Sequence, residues 1–384
     1  MRIVHVTLRF DGPGGVETTV REVTRRLRAR GDEVEVFASD LVEESGWVRG
    51  TGFRPVVDGV PVRRFPAVKR ALPHYPLPVL AGLVDALADS GADVIHAHSH
   101  RYGHLLQAAA VSQRCGIPLV ISSHYHPADR GEPPLKKGLL RVEDFLFGMT
   151  AYPRASAIVV ESDLEARLVA EFAPEERIRR IPPGIDLAEW EAAAADRAAA
   201  PSLPPRYDLF VGRIASNKGL DLLIEALALR PAAERLPLVL LGPDWGEQAS
   251  LEERARQLGV DGDLRWLGAV SDRAAYRGVL RGARALVLPS EWEAFGLVLL
   301  DAMAAGTPIV ATRVGAVPEV LDGGAAGRLV PYGEPSALAD GLAAVDRDAK
   351  ATGALVAAAA QKVRTLDWST SVDRLREVYR DLAA

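Results

Sequence analysis

Short β-branched runs alternate with longer Ala-, Leu- and Arg-rich runs along almost the whole chain, and this alternation constrains the fold more than any other feature. The short runs have the length of strands and end in Gly, Ser or His. The longer runs place apolar residues on one helix face, as Val20, Val23 and Leu27 do. Strands separated by helices pair in parallel through right-handed crossovers. The sequence therefore predicts an α/β protein built on doubly wound, Rossmann-like parallel sheets.

The alternation occurs twice, with a different segment between its two parts. Strands are predicted at 3–8, 31–38, 93–98, 118–123 and 157–161, then at 207–211, 238–242, 264–267, 285–289 and 308–311. The segment 186–206 is rich in Ala and Pro and carries no strand pattern, which is typical of a linker. We therefore expect an N-terminal domain over 1–185, a linker over 186–206, a C-terminal domain over 207–366 and a final helix within 367–384. Ligands of such sheets bind at the carboxyl ends of the strands, so a cleft between those ends is expected.

Composition excludes several classes of protein. A length of 384 residues suits two domains, and a net charge of −5 argues against a nucleic-acid-binding protein. The apolar N-terminal run is too short for a signal peptide, and no stretch has the length of a membrane span, so a cytoplasmic location is expected. The single cysteine, Cys115, excludes an internal disulfide. Its place at the end of a helical run predicts a small packed residue rather than a nucleophile.

A glycine-rich loop joins the first predicted strand to the first helix, over Asp11–Glu17. Gly14 and Gly15 allow close approach of the backbone to a ligand, and a helix N-terminus offers N–H groups to an anion. The loop lacks the Gly-x-Gly-x-x-Gly pattern of dinucleotide-binding proteins. It is as consistent with a tight turn as with a ligand-binding loop.

Histidines are concentrated near the ends of two predicted strands. Six of the eight lie within about thirty residues: His96, His98, His100, His104, His124 and His126. Their alternation raises the possibility of a metal site, but neither a second thiol nor a compact carboxylate completes one. Contacts with a sugar or acceptor are favoured instead. We expect His96 to be a hydrogen-bonded core residue and His124, at the tip of a strand, to be functional.

Two further segments carry charged residues at strand ends. After the strand at 207–211, Gly212 and Arg213 precede Lys218 and Gly219, and two cations at a helix start suit a diphosphate. Solvated loop charges are an equally good interpretation of that loop alone.

The second of these segments spans 289–308, where Glu293 and Asp301 flank Gly296 at a predicted helix start. Helix N–H groups can bind phosphate, and carboxylates accept hydrogen bonds from sugar hydroxyls. Asp301 lies in an apolar helical run, where an acid without a role is costly.

Together these segments resemble the retaining glycosyltransferases of the GT-B fold, specifically family 4 (glycosyl transferases group 1). The landmarks run nearly end to end: Gly14–Glu17, Val94–His98, Ser122–His124, Pro183–Asp186, Gly212-Arg213 with Lys218-Gly219, Leu267-Gly268, and Glu293 through Gly315 to Glu319. The Gly-Arg and Lys-Gly pairs followed by the acidic segment are the most specific part.

The resemblance implies transfer of a hexose from a UDP- or GDP-sugar to a glycan, lipid or small-molecule acceptor, with retention and without a metal or cofactor. It implies a catalytic set made of His124, Arg213, Lys218 and Glu293. It implies donor contacts at Gly14, Gly15, Gly212, Val270, Phe295, Gly296, Leu297 and Asp301. The final helix, with Trp368 and Tyr379, is expected to return to the N-terminal domain, as it does in the family.

The chain departs from the family pattern at two of these landmarks. Asp301 stands where the family usually has Glu, and Pro183 stands where it often has Asn. Asp is shorter by one methylene, which puts the reach of Asp301 to a ribose in question.

Three other functions remain open on sequence grounds: a nucleotide-sugar epimerase or phosphorylase, an inactive nucleotide-binding subunit, and a dinucleotide oxidoreductase. Asp261-Gly262-Asp263 matches a metal-binding pattern of other glycosyltransferases but is interpreted as a helix-to-strand turn. The segment Pro134–Phe147 mixes cations and apolar residues. It fits a core-packed helix best, and a peripheral contact with the inner membrane surface stays open.

Overall fold

The computed structural model describes residues 1–12, 14–43, 48–71, 76–127, 134–192 and 202–384. Pro13 of the glycine-rich loop and residues 193–201 of the predicted linker lie outside the described residues. The chain forms two compact units, Met1–Pro183 with Trp368–Ala384, and Gly184–Asp367.

The first unit is built on a parallel sheet. Its strands are β1 (Arg2–Thr7), β2 (Glu33–Ser39), β3 (Leu41–Glu43), β4 (Val48–Arg49), β5 (Val56–Val57), β6 (Val60–Phe65), β7 (Ala67–Ala71), β8 (Pro76–Leu80), β9 (Val94–His98), β10 (Leu119–Ser122), β11 (Ala157–Val160) and β12 (Ile178–Arg180). The sheet order is β12-β11-β10-β9-β1-β2-β6-β5, with β5 antiparallel to β6 and the other neighbours parallel. Two antiparallel hairpins, β3–β4 and β7–β8, stand apart from it.

Helices cover both faces of this sheet, because its central strands carry apolar residues on both sides. They are α1 (Gly15–Ala29), α2 (Leu83–Ala88), α3 (Gly103–Cys115), α4 (Pro134–Ala151) and α5 (Asp163–Val169). Cys115 is exposed at the end of α3, so the prediction of a packed thiol is wrong. Cys115 is the last residue of that helix and lies on its solvent side. The apolar periodicity of a helix does not predict the burial of its terminal residue.

The second unit contains a shorter parallel sheet. Its strands are β13 (Asp208–Val211), β14 (Leu238–Leu241), β15 (Leu264–Gly268), β16 (Ala285–Leu288), β17 (Ile309–Thr312) and β18 (Arg328–Val330), in the order β15-β14-β13-β16-β17-β18. Its helices are α6 (Leu187–Ala192), α7 (Leu220–Leu229), α8 (Gln248–Leu258), α9 (Arg273–Gly282), α10 (Leu297–Ala305), α11 (Val317–Val320), α12 (Pro335–Arg347) and α13 (Ala349–Val363). The predicted α/β fold with two doubly wound sheets is confirmed.

Residues 186–192, predicted as the start of the linker, belong to the second unit. Ile185 bridges to Asp367, and Trp190 of α6 is 3% exposed within the core of that unit. The last helix, α14 (Trp368–Ala383), packs on the first unit through its buried residues Trp368, Val372, Leu375 and Tyr379. Asp261–Asp263 forms the predicted turn between α8 and β15. Among the described helices, none is both long and apolar enough to cross a bilayer.

Candidate functional site

The strand order of the second unit reverses between β13 and β16. The strands β14 and β15 lie on one side of this point and β17 and β18 on the other. Open α/β sheets bind ligands outside the carboxyl ends of the strands at such a switch point. Here β13 leads into the loop with Arg213 and Lys218, and β16 leads into the segment with Glu293. The topology therefore brings together two segments that lie far apart in sequence.

Lys218 and Glu293 are joined directly. Lys218 ends a short 3₁₀ turn, and its Nζ donates to Glu293 Oε1 at 2.6 Å, while Ser290 Oγ donates to the same oxygen at 2.6 Å. The two charged side chains are only 14% and 12% exposed. An ammonium has three donors, so Lys218 retains N–H groups for an anion, and Glu293 Oε2 takes part in neither bond. The pair can hold an anion and a hydroxyl side by side.

Glycines allow the loops of this site to pack closely. Gly219 has a φ of +62°, and a Cβ there would lie 2.2 Å from the Pro289 carbonyl oxygen. Gly315 has a φ of +50°, and its Cβ would lie 2.0 Å from the Glu293 carbonyl oxygen. That carbonyl also accepts a bond from Ala316 N at 3.0 Å. Both positions require glycine, because any side chain would displace the segment that carries Glu293.

Arg213 and the start of α10 provide further positive potential. The Arg213 guanidinium lies 4.1 Å from the centre of the Trp245 ring, a cation–π contact that orients it. Gly296, in the left-handed region with a φ of +85°, precedes Leu297, the first residue of α10. The first N–H groups of a helix lack intrahelical partners and attract anions. The Phe295 side chain is 5% exposed in the core, so its backbone is the part that a ligand can reach.

Asp301 follows one turn into α10 and is paired with a residue that the sequence did not indicate. The Tyr276 hydroxyl donates to Asp301 Oδ2 at 2.7 Å. Burial raises the pKa of Asp301 to about 6, against the opposing effects of Tyr276 and Arg273. Val270, in the segment after β15, is half-buried against the same core.

The sheet of the first unit has its own switch point, between β1 and β9. The glycine-rich loop follows β1, His98 ends β9, and His124 follows β10. In that loop Glu17 is buried and pairs with Arg9 at 2.7 Å. A Cβ on Gly14 would lie 2.0 Å from Glu17 Oε2, so Gly14 makes room for this ion pair.

His124 has an unusual backbone and a charged partner. Its φ is +43°, a region that non-glycine residues rarely occupy and that is common at functional sites. Its Nδ1 lies 3.1 Å from Glu161 Oε1. Burial lowers the pKa of His124, but Glu161, with smaller contributions from Glu165 and Glu17, outweighs burial and raises it above 6.5. Glu161 therefore favours the protonated form of His124.

Two imidazoles, those of His98 and His5, form a buried chain behind His124. His124 Nε2 lies 3.4 Å from His98 Nδ1, and His98 Nε2 lies 3.0 Å from His5 Nδ1. Burial lowers the pKa of His5 to about 3. One ring nitrogen from each of His5, His96 and His98 lies within 4.8 Å of the other two, a spacing that could hold a metal ion. Of the six ring nitrogens of these three histidines, five have hydrogen-bond partners, and His5 Nε2 has none among the described residues.

Four other histidines of the described residues form hydrogen bonds around this chain. His96 is 1% exposed and is bonded to Tyr379 of α14 and, at 2.8 Å, to Ser122 Oγ. His100 Nδ1 lies 2.9 Å from the Tyr152 hydroxyl, and His104 Nε2 donates to the His98 carbonyl at 2.8 Å. The expectation that His96 is a hydrogen-bonded core residue is confirmed. His126 Nδ1 lies 2.8 Å from the Pro127 carbonyl.

Comparison with known proteins identifies the family. The family model "Glycosyltransferase Family 4" matches residues 13–189, and "Glycosyl transferases group 1" matches 195–362. D-inositol 3-phosphate glycosyltransferase of Nocardiopsis dassonvillei is 32% identical over 97% of this chain and 90% of its own length. The chain is a family 4 glycosyltransferase. Phosphatidyl-myo-inositol mannosyltransferase of Mycobacterium leprae is 30% identical to the enzyme, over 97% of this chain and 95% of that protein.

Solved structures of glycosyltransferases have the same fold as this family 4 enzyme. HepE of Anabaena, determined in complex with UDP, superposes with a TM-score of 0.76 at 21% identity, over 99% of this chain and 100% of that one. Sucrose-phosphate synthase of Thermosynechococcus elongatus gives 0.74 at 21% identity, over 99% and 98%. The predicted family, the GT-B fold and glycosyl transfer from a nucleotide sugar are confirmed.

The sequence analysis did not identify four residues that contact the predicted site residues in the two units: His5, Glu161, Tyr276 and Ser290. Ser290 and Glu161 each follow a strand directly, so the strand-end rule could have found them. His5 and Tyr276 carry no such signal. The contact of His5 with the other histidines could be recognised only from the structure, because the register of β1 and β9 sets His5 beside His96.

Proposed function

We propose that this enzyme transfers a hexose from a UDP- or GDP-sugar to an acceptor hydroxyl with retention of the anomeric configuration. The observation that carries the proposal is the bonded group of Lys218, Glu293 and Ser290 at the switch point of the second unit. A cation and an acid held together beside a helix N-terminus match the two ends of a sugar diphosphate. In this assignment the second unit binds the donor, and the first unit binds the acceptor.

The chemistry assigned to the donor site is mainly electrostatic. The bond between the anomeric carbon and the diphosphate oxygen breaks, and a bond to the acceptor oxygen forms on the same face. The acceptor proton passes to the departing diphosphate. Arg213, Lys218 and the N–H groups at Gly296 and Leu297 stabilise that leaving charge, the role that a divalent metal fills in other transferases.

The remaining residues are assigned to the two substrates. Glu293 accepts bonds from donor sugar hydroxyls, and Asp301 binds the ribose. Gly212, the Phe295 backbone and Val270 line the nucleotide, with Val270 at the base. His124 is assigned to the reacting centre and the Gly14-Gly15 loop to the phosphates. We propose no metal and no cofactor for this reaction.

Inositol phosphates are the first acceptors to test. The D-inositol 3-phosphate glycosyltransferase and the phosphatidyl-myo-inositol mannosyltransferase are both named for inositol-bearing acceptors. The second of these acceptors is a lipid, which agrees with the exposure of apolar residues on α4 of this enzyme, where Phe145 is 54% and Leu146 is 58% exposed. We propose that the enzyme works in the cytoplasm, in peripheral contact with the inner membrane surface.

Donor binding is tested by thermal shift with UDP, GDP and ADP and their sugar conjugates, with and without EDTA. We expect one nucleotide to raise the melting temperature in EDTA as well. Lys218→Ala should abolish that shift, because the diphosphate loses its direct charge partner. The matched control is Lys350→Ala, which removes an exposed cation of α13. No shift with any nucleotide would overturn the donor site.

The products then separate transfer from the alternatives. With the identified donor and inositol 3-phosphate, we expect a glycoside whose anomeric proton coupling matches that of the donor, measured by NMR. An inverted anomer would refute retention. A new sugar formed without any acceptor would point to epimerase or phosphorylase chemistry.

A further inference from the structure

A buried carboxylate beside His124 has no role in the assignments above. Glu165 lies in the first turn of α5 and is 3% exposed. Its backbone N–H donates to Ser162 Oγ at 3.1 Å, so the N-cap of α5 holds the turn that carries Glu165. An ionised side chain in the interior is costly unless hydrogen bonds satisfy it. The partners of this carboxylate therefore indicate what it does.

Both oxygens of Glu165 accept backbone N–H groups, and the two donors come from different segments. Oε1 accepts from Tyr125 N at 2.8 Å, and Oε2 accepts from Glu161 N at 2.6 Å. Tyr125 follows β10, and Glu161 follows β11. The last bond that the described residues form between these two strands runs from Ser123 N to the Val159 carbonyl, at 3.1 Å. Glu165 therefore joins two loops at the point where strand pairing no longer holds them.

The two N–H groups belong to the immediate surroundings of the contact between His124 and Glu161. Tyr125 N directly follows His124, whose φ of +43° is a strained conformation for a residue with a side chain. Such a conformation persists where the surrounding contacts hold it. The other N–H is that of Glu161 itself, whose Oε1 lies 3.1 Å from His124 Nδ1. One carboxylate thus constrains the backbone of both partners.

A charge at Glu165 is needed for both bonds, although its surroundings disfavour that charge. Burial and the charge of Glu161 raise the pKa of Glu165 above its usual range, whereas His124 and the two N–H bonds lower it. A glutamine would avoid this repulsion and fill the same space. Its NH₂ group would, however, face one of the two backbone N–H groups, because an amide has only one acceptor oxygen. Holding both loops is what distinguishes the carboxylate from a side chain that only fills space.

We propose that Glu165 is a positioning residue for glycosyl transfer, which holds the loops after β10 and β11 together and thereby sets the imidazole of His124 against Glu161. The inference rests on the role proposed above for His124 at the reacting centre. Glu165 acts through the two backbone N–H groups, and His124 and Glu161 form the contact that it orients.

The first test is the tautomer of His124 in the full-length protein, measured by long-range nitrogen-15 NMR at a pH where the ring is neutral. In the wild type we expect the proton on Nδ1, because Glu161 accepts it. Glu165→Gln should release one of the two loops and give a mixture of Nδ1 and Nε2 tautomers. Glu175→Gln, an exposed change in the same unit, is the matched control and should leave the tautomer unchanged. A pure Nδ1 tautomer in Glu165→Gln would overturn the inference, since packing alone would then explain the residue.

Kinetic measurements separate positioning from a general loss of structure. With the donor and acceptor found by the binding and product assays above, Glu165→Gln should lower kcat about tenfold, because a misplaced group at the reacting centre slows the reaction. The KM for the donor should stay within about twofold of the wild-type value, since the second unit is unchanged. In a Glu161→Gln background, Glu165→Gln should have little further effect on kcat, because the contact that it orients is already lost. Independent, multiplying effects of the two changes would overturn the inference.

Hydrogen exchange of the wild-type protein tests the two bonds without any substitution. The amides of Tyr125 and Glu161 should exchange as slowly as those of β10, although both residues lie beyond the strands. Fast exchange at either amide would overturn the inference even if Glu165→Gln does not fold. Absence of nucleotide binding or of transfer by the wild type would instead refute the proposed function, and the tautomer and exchange measurements do not depend on it.

Discussion

His124 shows how neighbours set the state of a single side chain. When its ring is neutral, Glu161 keeps the proton on Nδ1, so Nε2 must accept from His98 Nδ1. His98 Nε2 then accepts from His5 Nδ1, which leaves His5 Nε2 without a proton and, within the described part of the chain, without a partner. The direction of every bond in the chain follows from one carboxylate. His98 and His5 therefore help to orient the ring that we assign to the reacting centre.

The first prediction concerns the charge on His124. Glu161→Gln should lower the pKa of His124, because burial is then opposed only by the smaller contributions of Glu165 and Glu17. The ring should consequently lose its proton at a lower pH than in the wild type. Nitrogen-15 NMR titration of the histidines measures this change. Glu33→Gln, an exposed change in the same unit, should leave His124 unaffected, and an unmoved pKa in Glu161→Gln would contradict the account.

Asp301 gives a prediction about stability. Its pKa is raised from 3.8 to about 6, so between those values the folded protein binds the proton more tightly than the unfolded chain. The contribution of Asp301 to the free energy of unfolding is therefore full below pH 3.8 and is lost as the pH rises to about 6. Asp301→Asn should melt higher than the wild type at pH 7.5, with a smaller difference at pH 4.5. Calorimetry at both values checks this, and an equal difference at both would count against it.

Among the elements, α4 differs from the core-packed helix that its sequence favours, because only part of its apolar surface is buried. Leu140 and Phe147 pack inward. A second set of apolar residues is exposed: Leu135 (80%), Val142 (56%), Phe145 (54%), Leu146 (58%) and Met149 (47%). These positions share one helix face, with the exposed Arg141 in the same helix. An apolar face with basic residues beside it is typical of a helix that lies in a membrane interface.

We predict that this face binds anionic bilayers. Phe145→Ser with Leu146→Ser should reduce sedimentation with phosphatidylglycerol vesicles several-fold, because apolar burial supplies most of the binding energy. Nucleotide binding should not change. Leu229→Ser removes an equally exposed apolar residue, 61% exposed, from the second unit and serves as control. Equal sedimentation of all three proteins would refute the membrane contact.

Elements with strong periodicity were predictable, and irregular ones were not. The strands β1, β2, β9, β10 and β11 and those from β13 to β17 coincide with predicted runs within a few residues. The short strands β12 and β18 and the excursion from β3 to β8 were missed. Among these, the strands of two or three residues, β3, β4, β5, β12 and β18, carry too few alternating positions for a pattern. They exist because a neighbouring strand offers unpaired backbone groups.

At the scale of the whole molecule, the chain passes between the two units twice. It leaves the first unit after Pro183 and returns at Trp368, so α14 completes a core whose other strands lie near the start of the sequence. Tyr379 of this helix is fully buried and bonds His96 beneath the histidine chain. The C-terminal helix therefore supports both the packing and the polar network of the first unit.

The matching prediction is that α14 stabilises the first unit specifically. Leu375→Ala should lower its free energy of unfolding by about 3 kcal/mol, the usual cost of a large-to-small change in a core. Hydrogen exchange should show lost protection in β1, β9 and β10 with little change in the second unit. Arg374→Ala, an exposed change on the same helix, is the control. Loss of protection confined to the second unit would contradict this role.

The sequence alone was sufficient to predict the family, the two parallel sheets and the loops at the strand ends, because periodicity, glycines and charged motifs are local properties. Lys218 and Glu293 were both identified in this way. Their bond, the Tyr276–Asp301 pair and the chain from His124 to His5 were not. Each joins side chains from different elements, 25 or more positions apart, whose meeting depends on strand order, register and helix packing. Those features arise from the burial of whole faces, so no local pattern encodes them.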